Sequence, residues 1–142
     1  MAVIADFDHL STAISHATAP AFMLGAVAAF LSVLVGRMER IVDRNRALQS
    51  AGAGALDPSL RDAIAKSFAR RMQLLSRAIY YAVLSALITA ALLIVAFLAA
   101  LVGIGHGVVM AAMFVVALVL LMVSLVELTR EIRVHMKTMH LD

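Results

Sequence analysis

The sequence predicts an all-α integral membrane protein with three transmembrane helices, and three observations support this. Apolar residues make up 63% of the 142 residues and the mean hydropathy is +0.99, which is more apolar surface than one small soluble domain buries. Three apolar runs are each long enough to cross a bilayer. Amphipathic helical patterns continue from the first run and lead into the second, so we expect these two helices to extend into an antiparallel cytoplasmic hairpin.

The placement of the positive charges predicts the topology. Every lysine and arginine lies in Arg37–Arg77 or in Arg130–Lys137. By the positive-inside rule both regions are cytoplasmic, which puts the N-terminus outside and the C-terminus in the cytoplasm. We expect a single membrane domain over 1–142, with an outer interfacial helix (1–16), transmembrane helices (17–36, 78–102 and 108–126), a cytoplasmic hairpin (37–77), an outer turn (103–107) and a cytoplasmic tail (127–142).

The segment before the first run is predicted to be a short interfacial helix on the outer surface. Its apolar residues recur every three or four positions, it is too polar to span, and it lacks the features of a cleaved signal peptide. Its acidic and histidine side chains, with one histidine of the outer turn, form either a solvated face or a metal-binding or pH-sensing cluster. They have no specific metal spacing, so we expect no metal. The residues concerned are Asp6, Asp8, His9, His16 and His106.

The first transmembrane helix has one face of small residues. Pro20 suits its first turn, because the missing N–H of proline does no harm there. Small residues then recur at steps of four, three and four, while bulkier residues lie elsewhere. Such a face either packs closely against another helix or lines a narrow water-filled pore. It consists of Gly25, Ala29, Ser32 and Gly36.

The predicted hairpin turns in the small-residue stretch 50–56, and Asp57-Pro58 follows as an N-cap with proline at the first helical position. An apolar stripe leads from there into the second run, and another stripe follows the first run. Packing the two stripes together satisfies both, whereas a lipid-lying or calmodulin-like amphipathic helix is the rival interpretation. The stripes are Leu60, Ile64, Phe68, Met72, Leu75 and Ile79, and Met38, Ile41, Val42 and Leu48.

The second run carries a polar line, Tyr81, Ser85 and Thr89, beside a line of alanines. Hydroxyl groups in transmembrane helices bond to their own helix or bridge to a neighbour, and the alternative is that they line a pore. The short glycine-rich outer turn makes the second and third helices antiparallel neighbours. The third run, rich in valine and leucine, is suited to face lipid.

Charged residues collect where the runs end on the cytoplasmic side. Arginine at such a place snorkels, binds lipid phosphate or pairs with an acid of a neighbouring helix. A poorly solvated carboxylate needs a partner, so we expect Glu127 to lie within reach of Arg37, Arg40 or Arg77, in the same or a neighbouring chain. Glu127→Ala is then expected to destabilise the protein more than Glu131→Ala. These inner-mouth charges are Arg37, Arg40, Asp43, Arg44, Arg77 and Glu127.

The sequence disfavours several classes of function. It has no cysteine and no catalytic or cofactor-binding pattern, so we expect no enzyme, no catalytic residue and no cofactor. No ionisable residue lies in the middle of a predicted span, which argues against a coupled transporter. The pI is near 10.0, but the basic residues lie close to the span ends, where contact with anionic lipid explains them. We therefore expect no nucleic-acid partner.

At Pro20-Ala-Phe and in the stretch from Arg37 to Leu48, the chain resembles the bacterial membrane family filed as domain of unknown function 2721. The signature is an Arg-x-x-Arg-Ile-x-Asp-Arg pattern after a proline-led apolar run, here Arg37, Arg40, Ile41, Asp43 and Arg44. The resemblance covers nearly the whole chain. It implies three spans and a bacterial inner (plasma) membrane, and it implies no activity.

Two hypotheses about function follow. The first is a small homo-oligomeric ion channel or pore with the first transmembrane helix lining the path, since three helices enclose too little space alone. The second is a non-conducting scaffold or regulator whose basic hairpin binds a partner protein or anionic lipid. Oligomeric state separates the two best, because a ring of four or more copies with a central path favours the channel.

Overall fold

The protein consists of three long helices. The structure, a computed structural model, describes residues 2–52, 57–102 and 107–139, and every described residue except Asp57 is helical. The helices are α1 (Ala2–Gly52), α2 (Pro58–Val102) and α3 (Gly107–Met139). Each contains a stretch long and apolar enough to span a bilayer, within Ala17–Ala47, Arg61–Val102 and Gly107–Val134. The prediction of an all-α protein with three such helices is confirmed.

Helix α1 differs from the prediction at its N-terminal part. Residues 2–16 are not a separate helix, because α1 continues through Ala17 without a break and Pro20 lies inside it. The segment has no helix-stopping residue before Pro20, and proline removes only one backbone hydrogen bond. Thr18 Oγ1 donates a hydrogen bond to the carbonyl of Ile14 at 2.9 Å within the same region. The side chains of Asp6, Asp8, His9 and His16, and the whole of His106, lie outside the described residues.

Helix α2 begins where the sequence predicts. Pro58 is its first residue, and the Arg61 amide donates to the carbonyl of Asp57 at 3.1 Å. The Asp57 carboxylate accepts a hydrogen bond from the Ser59 hydroxyl at 2.9 Å. Asp57 therefore occupies the N-cap position that the Asp-Pro pair predicts, with its carbonyl accepting the first bond of the helix. From there α2 continues through residue 78 to Val102 with no interruption, so its amphipathic and apolar parts form one helix.

Helix α2 lies between α1 and α3. It packs against both of them, and 28% of the residues in its most apolar stretch are buried, compared with 11% of those in the corresponding stretch of α3. Its buried positions alternate at steps of three and four, which is the spacing of a heptad seam between packed helices. They are Leu75, Ala78, Ala82, Ser85, Thr89, Leu92 and Ala96.

The core continues from the apolar part of the helices into the amphipathic part. Leu75 is fully buried in a cluster with Leu34 of α1, and Met38, Ile41 and Ile79 pack against the same cluster. All of these except Leu34 belong to the two stripes that the sequence predicts to face each other. The side chains of Leu48 and Leu60, also in those stripes, lie outside the described residues.

Candidate functional site at the basic end

We call the part of the protein formed by residues 37–52, 58–77 and 127–139 the basic end. All described lysines and arginines belong to it. At its centre lies Glu131 of α3, which is 1% exposed although it carries a carboxylate. A buried carboxylate is costly unless it is paired and hydrogen-bonded, so its partners identify the strongest polar constraint in the region.

Both oxygens of Glu131 accept hydrogen bonds from arginines of the other two helices. Arg71 of α2 donates from Nε at 3.1 Å and from Nη2 at 2.8 Å to Oε1. Arg37 of α1 donates from Nη1 at 3.0 Å to Oε2. We call Arg37, Arg71 and Glu131 the arginine cluster. It joins all three helices through one side chain, and charge-assisted bonds of these lengths are the strong kind.

Glu127, one turn before Glu131, is in a different situation. Its Oε1 accepts a hydrogen bond at 3.4 Å from Nη1 of Arg130, an exposed residue three positions further on the same helix. Its Oε2 is buried and has no hydrogen-bond partner among the described residues. Glu127 therefore contributes a buried carboxylate without joining α3 to another helix.

Within one chain this arrangement differs from the expectation for Glu127, and a partner in a neighbouring chain stays a prediction. Within the chain, Arg37 binds Glu131, and the partner of Glu127 is Arg130. Arg40 and Arg77 are exposed and make no ion pair in the part of the chain that the structure describes. Arg37 pairs with Glu131 and not with Glu127 because its long side chain extends to the carboxylate one helical turn further along α3.

The remaining inner-mouth charges, Asp43 and Arg44, are exposed and make no ion pair among the residues described. The structure thus brings Arg37 together with Arg71 and Glu131, two residues that the sequence does not single out. The spacing of residues in α3 could have indicated the burial of Glu131. Glu131 follows Ser124 and Ala117 at intervals of seven, so all three lie on one seam of α3.

The same interval orders the polar contacts between α2 and α3. The Ser85 hydroxyl donates to the carbonyl of Ala117 at 2.7 Å, and the Ser124 hydroxyl donates to the carbonyl of Ala78 at 2.6 Å. From Ala78 the next step of seven leads to Arg71, which binds Glu131. From one contact to the next, the residue numbers fall along α2 and rise along α3. The two helices are therefore antiparallel, with three polar contacts at heptad spacing.

The polar line of α2 is buried inside the chain. Ser85 and Thr89 are fully buried, and Thr89 Oγ1 donates to the Ser85 carbonyl at 2.8 Å and lies 3.9 Å from the sulfur of Met23 in α1. Tyr81, the third member, is half-buried. The two hydroxyls make the contacts that the packing alternative requires.

The small face of α1 has the opposite environment. Gly25, Ala29 and Ser32 are exposed, and Gly36 is half-buried. A Cβ atom added at Gly25 or Gly36 would meet nothing within 4 Å. Among the described residues, no neighbouring helix packs closely against Gly25 or Gly36, so a packing partner for this face would have to be a second molecule.

No group of three or more histidine, cysteine, aspartate or glutamate side chains that could hold a metal occurs among the described residues. No curated protein and no solved structure matches the chain. A family model described as "Protein of unknown function (DUF2721)" matches residues 17–141, which include all three apolar helices and the arginine cluster. The chain belongs to this family, and its three apolar helices fit a membrane protein with three spans.

Proposed function

We propose that the protein is a non-conducting membrane scaffold whose basic end holds anionic lipid at the cytoplasmic face of a bacterial inner membrane. The arginine cluster carries this proposal, since one buried carboxylate binds arginines from both other helices. Three helices joined at this point form a stiff support for the positive charges around it. A rigid, positively charged support at a membrane surface attracts anionic headgroups without any moving part.

The charge distribution supports the proposed orientation. The exposed basic residues all lie at the basic end, and the positive-inside rule places such an end in the cytoplasm. The exposed acidic residues of this end, Glu39, Asp43 and Asp62, are fewer. The exposed basic residues are Arg40, Arg44, Arg46, Arg61, Lys66, Arg70, Arg77, Arg130 and Arg133.

The hydroxyl groups of the apolar part favour a scaffold over a pore lined by α2. Ser85 and Ser124 bond to backbone carbonyls of the neighbouring helix, and Thr89 bonds within its own helix. A hydroxyl that lines a water-filled path must face water. These three are fully buried between helices of one chain, so they stabilise the packing of α1, α2 and α3.

One observation favours the channel as a second candidate. Gly25, Ala29 and Ser32 form an exposed strip in the apolar part of α1, with Ser32 at the end of the strip nearer to the basic end. In a homo-oligomer with α1 at the axis, this strip would be the wall of the path, and Ser32 would be its polar position. The proposal of a channel therefore depends on α1 alone and on a closed ring of copies.

The orientation has a direct test. Cysteines introduced by Ala13→Cys and His106→Cys are expected to react with a membrane-impermeant thiol reagent in intact cells, and one introduced by Ala53→Cys is not. The wild-type chain has no cysteine, so each variant carries a single reactive group and the wild type is the blank. Labelling at position 53 from outside would reverse the topology and remove the cytoplasmic scaffold.

The function is tested with purified protein in lipid vesicles. A scaffold retains anionic lipid over zwitterionic lipid and loses the preference as salt rises, because exposed charges are screened. It passes no current in a planar bilayer at any voltage. A salt-independent lipid composition around the protein would contradict the scaffold, whereas single-channel steps from a ring of four or more copies would establish the second candidate.

A further inference from the structure

The arginine cluster has two positive charges and one negative charge. Its guanidinium groups belong to Arg37 and Arg71, and both bind the single carboxylate of Glu131. Glu127 does not supply the missing negative charge, since its hydrogen-bonded oxygen faces Arg130 and its other oxygen faces no donor among the described residues. A poorly solvated group of charges with an excess of one sign favours a counter-ion.

We propose that Arg37 and Arg71 together bind the phosphate group of one anionic lipid headgroup. This inference deepens the proposed function and rests on its orientation, because it gives the anionic lipid a defined site at the end of the apolar helices. The site consists of two guanidinium groups from α1 and α2, and Glu131 holds both in place.

The donors needed for such a site are present. Glu131 occupies one nitrogen of Arg37 and two of Arg71, whereas a guanidinium group carries five N–H donors. The side chain of Arg37 is 39% exposed and that of Arg71 is 20% exposed, so both groups have an accessible edge. The planar fork of arginine matches the oxygens of a phosphate group, and two forks on one phosphate bind it from two sides.

The position of the cluster selects a lipid as the source of the phosphate. Arg37 is the first charged residue after the apolar run of α1, so its side chain lies where the hydrocarbon ends and headgroups begin. Arg71 precedes the apolar part of α2 and its head meets that of Arg37 at Glu131. A soluble phosphate would have to enter this layer from water, and a lipid phosphate is already in it.

Lipid binding to the purified protein tests the site, with matched pairs of variants. Native mass spectrometry in neutral detergent measures the affinity for phosphatidylglycerol and, as the reference, for phosphatidylcholine. Arg37→Gln is expected to weaken phosphatidylglycerol binding by about tenfold, the equivalent of one charge-assisted bond pair. Arg40→Gln, which removes an exposed arginine one turn along the same helix, is expected to change it less than twofold.

Arg71→Gln and Arg70→Gln form the second pair: the change in the arginine cluster is expected to weaken binding about tenfold, and the change at the exposed Arg70 less than twofold. If a glutamine variant of the cluster does not fold, Arg37→Lys replaces it, because lysine keeps the charge beside Glu131 and loses the fork. Its expected effect is a weakening of threefold or more. Unchanged binding in that variant would overturn the site.

The outcomes separate the site from the scaffold. Equal weakening by Arg37→Gln and Arg40→Gln would mean that basic residues bind lipid diffusely, which overturns the site and leaves the scaffold. No preference of the wild type for phosphatidylglycerol would overturn both. Inorganic phosphate added without lipid is the remaining arm. If phosphate displaces phosphatidylglycerol from the wild type and not from Arg37→Gln, the site is supported. If the wild type binds phosphate but no lipid, the lipid is not the ligand of the site.

Discussion

Replacing Glu131 with alanine is expected to be the most destabilising single change at the basic end. The carboxylate is 1% exposed and holds Arg71 at 2.8 Å and Arg37 at 3.0 Å. Its removal leaves two guanidinium groups facing each other without a counter-charge. Removal of one partner of a buried pair costs about 3–5 kcal/mol, and the 39% exposure of Arg37 lets that residue turn to water. We therefore expect the free energy of unfolding to fall by about 3 kcal/mol, the lower end of that range.

Glu127→Ala is the matched control, on the same helix one turn away. It removes a 3.4 Å contact to Arg130, whose side chain is 63% exposed, together with a buried oxygen that has no hydrogen-bond partner among the described residues. Because the Arg130 side of the pair is exposed, the pair contributes about 0–1 kcal/mol, and removal of the buried Oε2 offsets part of that. The order of the two variants is thus the reverse of the one that the sequence predicts.

The assay is thermal or denaturant unfolding in detergent, with wild type, Glu131→Ala, Glu131→Gln and Glu127→Ala measured side by side. Glu131→Gln keeps the shape and one acceptor but loses the charge, so it is expected to fall between wild type and Glu131→Ala. Equal losses for Glu127→Ala and Glu131→Ala would refute the reasoning, because the ion pairs of Glu131 with two other helices would then add nothing to the stability that Glu127 provides.

Three further measurements test the packing. Ser85→Ala and Ser124→Ala each remove one buried bond to a backbone carbonyl, and each is expected to cost about 0.6 kcal/mol of unfolding free energy, the average found for such bonds in membranes. Gly25→Leu is expected to leave the unfolding temperature of the monomer unchanged, since a Cβ there meets nothing within 4 Å, and a lowered value would place this face inside the chain. Ala82→Leu, at a fully buried seam position, is expected to cost about 1–3 kcal/mol through overpacking. Its control, Ala91→Leu, is exposed on the same helix and is expected to be neutral; equal effects of the two would contradict the seam.

Much of the fold is predictable because it depends on patterns within single segments. The three apolar helices, the continuity of the second helix from its amphipathic to its apolar part, and the Asp57-Pro58 start are local features. The predicted boundary at residue 17 does not coincide with a helix end, because α1 runs from Ala2 to Gly52. Polarity changes at that position, but a change in polarity does not stop a helix unless a residue there also breaks the backbone pattern.

Contacts between helices are less predictable, because several positions on each helix satisfy the same local pattern. Glu127 and Glu131 lie one turn apart, and both are candidates for a partner of Arg37. Which of the two carboxylates pairs with Arg37 depends on how far α1 and α3 are shifted along each other's axes and on the length of the arginine side chain. The sequence of one chain contains no direct measure of that axial shift.

The sequence by itself determines that the chain forms three helices able to span a membrane and that its positive charges gather at one end, because hydropathy and charge position are properties of the residues in order. Only the tertiary structure decides which polar groups meet. It buries Ser85, Thr89 and Ser124 within the chain, exposes the small face of α1, and places Glu131 between Arg37 and Arg71. The physical reason is that the heptad register between antiparallel helices is fixed by packing along their full length, and that register selects the carboxylate on the seam.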